Sequence, residues 1–101
     1  MKILLTFERI YNENPAEELT NENEKVFLTI ENLGGKVTNV NIEQMKEEEE
    51  FTFDEVSYET IVHEFSNVTF EIEVSNEKVS GVTTFLDLLL EMDYQFTYEM
   101  K

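Results

Sequence analysis

A chain of 101 residues is long enough for one hydrophobic core and too short for two. Its 41% hydrophobic content, with eight Phe and four Tyr, excludes a disordered acidic tail, which would be poor in aromatic and β-branched residues. Twenty-three acids against seven bases leave a net charge of −16, which favours solubility and basic partners and excludes direct binding to nucleic acid or an anionic membrane, both of which require basic patches.

In chain order, residues 2–11 (KILLTFERIY) predict a strand with Ile3, Leu5 and Phe7 on one face. Residues 12–24 form a polar connector, in which Pro15 suits the first turn of a short PAEEL helix capped by Asn14. VFLTIE (26–31) and KVTNVNIE (36–43) flank Asn32-Leu33-Gly34-Gly35, a pattern that predicts a β-hairpin reversing at the glycines. The acid run 44–50 reads as a second connector. In 51–65, Tyr58, Ile61, Val62 and Phe65 follow the helical template, and Thr52 with Glu55 has capping-box spacing. Strand formers crowd the same segment, so 53–65 is expected as a helix with a strand as its alternative. VTFEIEV (68–74) is a strand with Val68, Phe70, Ile72 and Val74 inward. TTFLDLLLEMD (83–93) is a helix, with Thr84 and Asp87 at capping-box spacing, and YQFTYEM (94–100) closes as a strand. The expected fold is α+β: one acidic domain over 1–101 with an antiparallel sheet of four to five strands and one or two helices on one face.

No constellation for catalysis emerges. His63 is the only histidine; a helix over 53–65 would put Glu59 one turn before it, but no nucleophile or oxyanion pattern accompanies the pair. Glu47, Glu48, Glu49 and Glu50 lack the glycine-bearing spacing of a calcium loop, and four consecutive side chains cannot converge on one ion. The chain is therefore expected not to be an enzyme and to carry no cofactor and no metal. With no cysteine, it suits a reducing compartment. No signal-peptide pattern follows Met1 and no apolar run is long enough to cross a membrane, so a cytoplasmic location is expected. Ala, Gly, Pro and Arg are scarce; their codons are GC-rich, which points to a low-GC bacterium or its phage.

The carboxylates themselves are the candidate binding residues. Glu71 and Glu73 lie on the outward face of a strand, about 6.7 Å apart by strand geometry. Glu31 and Glu43 extend an acidic face on the neighbouring hairpin, Glu13, Glu17, Glu18, Glu22 and Glu24 come from the first connector, and Glu47, Glu48, Glu49 and Glu50 from the second. A folded scaffold studded in this way imitates the duplex, which carries about one charge per 1.7 Å of axis.

In size, acidity and α+β character the chain resembles small phage-encoded inhibitors: anti-CRISPR proteins, anti-restriction DNA mimics and uracil-DNA glycosylase inhibitors. It is equally similar to acidic immunity proteins of nuclease toxins. The resemblance covers the composition of the whole chain and no specific motif, so no site residue is carried over. It implies a non-catalytic inhibitor of a basic nucleic-acid-binding protein, such as a nuclease or CRISPR effector. The alternative is an assembly protein that uses acidity only for solubility and forms a homodimer through a sheet edge or the aromatic strand of Tyr94, Phe96 and Tyr98.

Overall fold

The computed structural model describes residues 1–52 and 58–101. Seven elements follow one another: β1 (Lys2–Ile10), α1 (Pro15–Glu22), α2 (Glu24–Asn32), β2 (Gly35–Thr52), β3 (Tyr58–Val74), α3 (Val79–Glu91) and β4 (Thr97–Met100). The strands form one antiparallel sheet in the order β2-β3-β1-β4, and the helices cover one face of it. The α+β arrangement is thus the expected one, with four strands and with three helices where one or two were expected.

Period-two alternation builds the core from the sheet side. Ile3, Leu5 and Phe7 of β1 and Val68, Phe70, Ile72 and Val74 of β3 are all buried on the helix-covered face. The helices answer with Leu19 from α1, Val26 and Ile30 from α2, and Val82, Leu86 and Leu89 from α3, each set at helical spacing. Phe70 sits at the centre. Phe7 meets it edge-on at 5.8 Å, and the half-buried Phe27 packs against it at 4.8 Å between ring centroids. Phe96 completes the cluster just before β4, so the aromatic strand expected as a dimer contact spends its central ring inside its own chain. Tyr98 is half-buried, with its hydroxyl donating to Asp87 of α3.

Three local expectations are corrected. Residues 26–31 are not a hairpin strand but the body of α2. Their alternation is outweighed by the i, i+4 pair Val26 and Ile30, which the sheet buries. The glycines end this helix: Gly34, at φ +99°, takes the left-handed position that a side chain disfavours, and its N–H donates to the Glu31 carbonyl. Glu31, expected on a hairpin face, is therefore on α2. Residues 58–65 belong to β3, not to a helix, because every residue from Tyr58 to Phe65 pairs with β2 in continuous register. The rest of the expected helix, 53–57 with its capping residue Glu55, lies outside the described residues. α3 begins at Val79 instead of residue 83, so Thr84 and Asp87 are interior positions and not a cap. It stops at Met92, and Asp93 (φ +66°) turns the chain away in a left-handed conformation that aspartate tolerates better than most residues.

The hairpin of this protein is β2–β3. The register runs from Gly35↔Val74 to Thr52↔Tyr58, with one irregularity between Val37 and Asn39. β1 pairs with β3 only as far as Ile10↔Ser66. Beyond that point Met45–Thr52 and Tyr58–Phe65 continue as a two-stranded arm, and the molecule measures 63 × 25 × 24 Å. β2 is an edge strand of 18 residues in which Gly35 alone is buried. It is held by its backbone ladder and not by the core.

Candidate functional site

The arm gathers much of the negative charge. Residues 43–52 and 58–66 contain seven glutamates and one lysine. Along β2, Glu43, Glu47 and Glu49 share the face left open by the helices, and Glu48 and Glu50 occupy the opposite face, as pleating dictates. All five are exposed. The expectation of an acidic loop at 44–50 is corrected to a strand, and this straightens the four consecutive carboxylates into a row.

Such a row survives because of its register. Opposite Glu43 stands Asn67; opposite Glu47, Glu48, Glu49 and Glu50 stand His63, Val62, Ile61 and Thr60. Lys46 faces Glu64 across the ladder and approaches it at 3.7 Å. No glutamate of β2 faces another acid of β3, which avoids the directly opposed like charges that destabilise strand pairs. His63 does not meet Glu59 one helical turn away as the helix reading required; its Nε2 lies 3.3 Å from Glu49, and both side chains are exposed.

Where the arm leaves the body it is strapped by the chain's single arginine. β1 carries a bulge between Phe7 and Ile10. Arg9 takes the left-handed conformation there (φ +58°), with its N–H bonded to Asn67 Oδ1 at 3.1 Å. The guanidinium sits 4.6 Å from the centre of the Phe65 ring, bonds Glu47 Oε2 at 2.9 Å and donates to the Tyr11 hydroxyl at 3.1 Å. Tyr11 in turn packs on Phe65 with 5.9 Å between centroids. The hydrogen bond to Glu47 is the largest influence raising the pKa of Arg9, a side chain that is cationic at any working pH.

The other face of the arm's base, beside the start of α1, holds a cleft of about 590 Å³. Ile10, Pro15 and Ile42 line its apolar part, and Glu13, Glu64 and Lys46 stand among its polar groups.

The remaining expected site residues do not join the arm. Glu71 and Glu73 lie on the open sheet face, Glu71 half-buried opposite Asn39 and Glu73 exposed opposite Lys36. Glu17 and Glu18 are in the first turn of α1, where they favour the helix dipole. Glu22 ends α1 and Glu24 begins α2, so these four belong to the helix layer. Glu64 is not among the expected site residues and Glu59 enters only beside His63; reading 58–65 as a strand places both on the arm. Among the described residues no group of three or more His, Asp or Glu is placed to hold a metal ion, and no helix is long and apolar enough to cross a membrane. Comparison with protein-family models and with curated proteins returned no match to this chain.

Proposed function

We propose that the protein is a non-catalytic acidic inhibitor whose arm occupies the nucleic-acid-binding surface of a basic protein, as in phage counter-defence by anti-CRISPR or anti-restriction mimicry. One observation carries this reading: Glu47, Glu48, Glu49 and Glu50 are consecutive residues of a regular strand. A strand advances about 3.4 Å per residue, and each strand of B-DNA carries one phosphate per about 3.4 Å of axis. The carboxylate row therefore repeats the axial charge spacing of one nucleic-acid strand, split over two faces of a thin ribbon. Immunity to a nuclease toxin would use the same surface. The long unpaired edge of β2 could pair with a second copy, but two chains of −16 repel each other, which favours a basic partner.

The test is a pull-down from a low-GC bacterial lysate with wild type and with a variant carrying Lys at 47, 48, 49 and 50. The expected result is a basic nucleic-acid-binding protein that is captured by wild type, displaced by duplex DNA or RNA, and lost with the variant. Affinity should fall steeply between about 50 and 500 mM salt, as screened charges require. A partner held equally by both proteins, or indifferent to nucleic acid, would remove the mimicry reading.

A further inference from the structure

We infer that the cleft at the base of the arm is an arginine-anchoring pocket, which takes an arginine side chain and its flanking backbone from the basic partner. The inference rests on the inhibitor reading and adds to it a specific contact where a phosphate imitation alone would give a diffuse one.

Three observations converge. First, the cleft has the amphipathic make-up of an arginine side chain, an apolar stem with a planar cationic head. Ile42 is 49% exposed although it points to the helix-covered face, and with Ile10 and Pro15 it offers the stem a surface. Glu13 and Glu64 offer the head carboxylates. Second, Ser66, 8% exposed, lines the same cleft, and a serine hydroxyl can accept from a guanidinium N–H. Third, the neighbourhood already holds a guanidinium: Arg9 stacks on Phe65 and bonds a carboxylate and a phenol on the other side of the ribbon. Phe65 and Tyr11 also border the cleft. At about 590 Å³ the cleft exceeds one side chain and admits the adjoining turn of a partner as well.

Lys46 is the resident competitor. Its amine reaches Glu64 at 3.7 Å, with both side chains largely exposed. Such a pair is weakly held and exchangeable. An incoming guanidinium, planar and able to form two bonds to a carboxylate, displaces a point-charge ammonium there.

The probe is a blocked Gly-Arg-Gly peptide, titrated into the full chain at about 150 mM salt, where diffuse attraction is screened beyond about 8 Å, and followed by amide NMR shifts. Expected are saturable shifts confined to residues 10–13, 42–46 and 64–66, and at least tenfold weaker binding of the citrulline analogue. Gln44→Trp, which fills the cleft without altering charge, should weaken binding about tenfold. Lys46→Gln should tighten it several-fold, and Lys36→Gln, the same charge change at the far end of β2, should not. Shifts scattered over all acidic segments, equal effects of the two lysine variants, or an unaffected Gln44→Trp would overturn the pocket. Capture of a basic protein in the pull-down would still stand, so the two ideas fail separately.

Discussion

Two glycines of this chain should respond to the same substitution with opposite signs. Gly35 begins β2 beneath α2, and a Cβ added there would lie 2.7 Å from Ile30 Cγ2, 3.0 Å from Ile72 Cγ2 and 3.3 Å from the Ile30 carbonyl. Ile30 and Ile72 are 1% and 0% exposed, and a γ-branch cannot swing aside as the end of a long side chain can. Overpacking of this kind costs about 1–3 kcal/mol, offset by about 0.4–1 kcal/mol from the stiffer unfolded chain. Gly35→Ala should therefore lower stability by about 1–2 kcal/mol, a fall in Tm of about 5–15 °C for a chain of this length. Gly81 lies inside α3 with nothing within 4 Å of an added Cβ. Gly81→Ala should raise stability by about 0.5–1 kcal/mol, or Tm by about 2–8 °C. Thermal and urea unfolding followed by circular dichroism measure both. Ile30→Leu removes the clashing Cγ2, so it should recover about half of the Gly35→Ala loss in the double variant, as contacting residues couple. A neutral Gly35→Ala, or an Ile30→Leu that costs the same in both backgrounds, would refute the reasoning.

Three further outcomes are expected. Arg9→Gln removes the strap on Phe65 and Glu47, so amide exchange of the arm residues 45–50 and 61–65 should speed up while that of β1 and α3 does not; unchanged arm protection would show that the ladder alone holds the arm. The hydrogen bond to Asp87 is the main cause raising the Tyr98 phenol above its ordinary 10.0, with burial second. A raised phenol binds its proton more tightly in the folded state, so its contribution is complete below pH 10 and is lost as pH climbs through the folded value; Asp87→Asn should bring the Tyr98 absorbance titration down. Single replacements of Glu48, Glu49 and Glu50 by Gln should each weaken partner binding modestly and by similar factors, read by the salt slope, whereas Glu47→Gln also removes the anchor of the Arg9 strap.

Where burial dictates structure, the sequence is legible. β1, the 68–74 half of β3 and most of α3 each repeat their apolar residues at the period of their element, and each buries that repeat. The expected α+β class follows from those three. α2 misled because Val26, Leu28 and Ile30 satisfy a strand template, while the residues the core uses, Val26 and Ile30, satisfy a helix equally well; Leu28 is 51% exposed. The two glycines then suggested a turn one element too early. β2 beyond Ile42 carries almost no apolar signal, since neither of its faces is buried. Its conformation comes from hydrogen bonds to a strand that is itself extended, and backbone pairing leaves no mark on composition. For the same reason the acids were visible as candidates and their arrangement was not. The cleft was invisible for another reason: it joins residues 10–15 to 42–46 and 64–66 across a bulge that no local pattern announces.

The ends of the chain meet at one place. The Met1 ammonium bonds the Val74 carbonyl at 2.8 Å, and the Lys101 N–H bonds the Lys2 carbonyl at 2.8 Å. Both termini are therefore stitched into the sheet at the end where β2 starts and β3 finishes, the end remote from the arm. A fluorophore, a bead or a fused protein attached at either terminus holds the molecule by its handle and leaves the carboxylate row pointing outward, so immobilised and free protein should present the same surface to a partner.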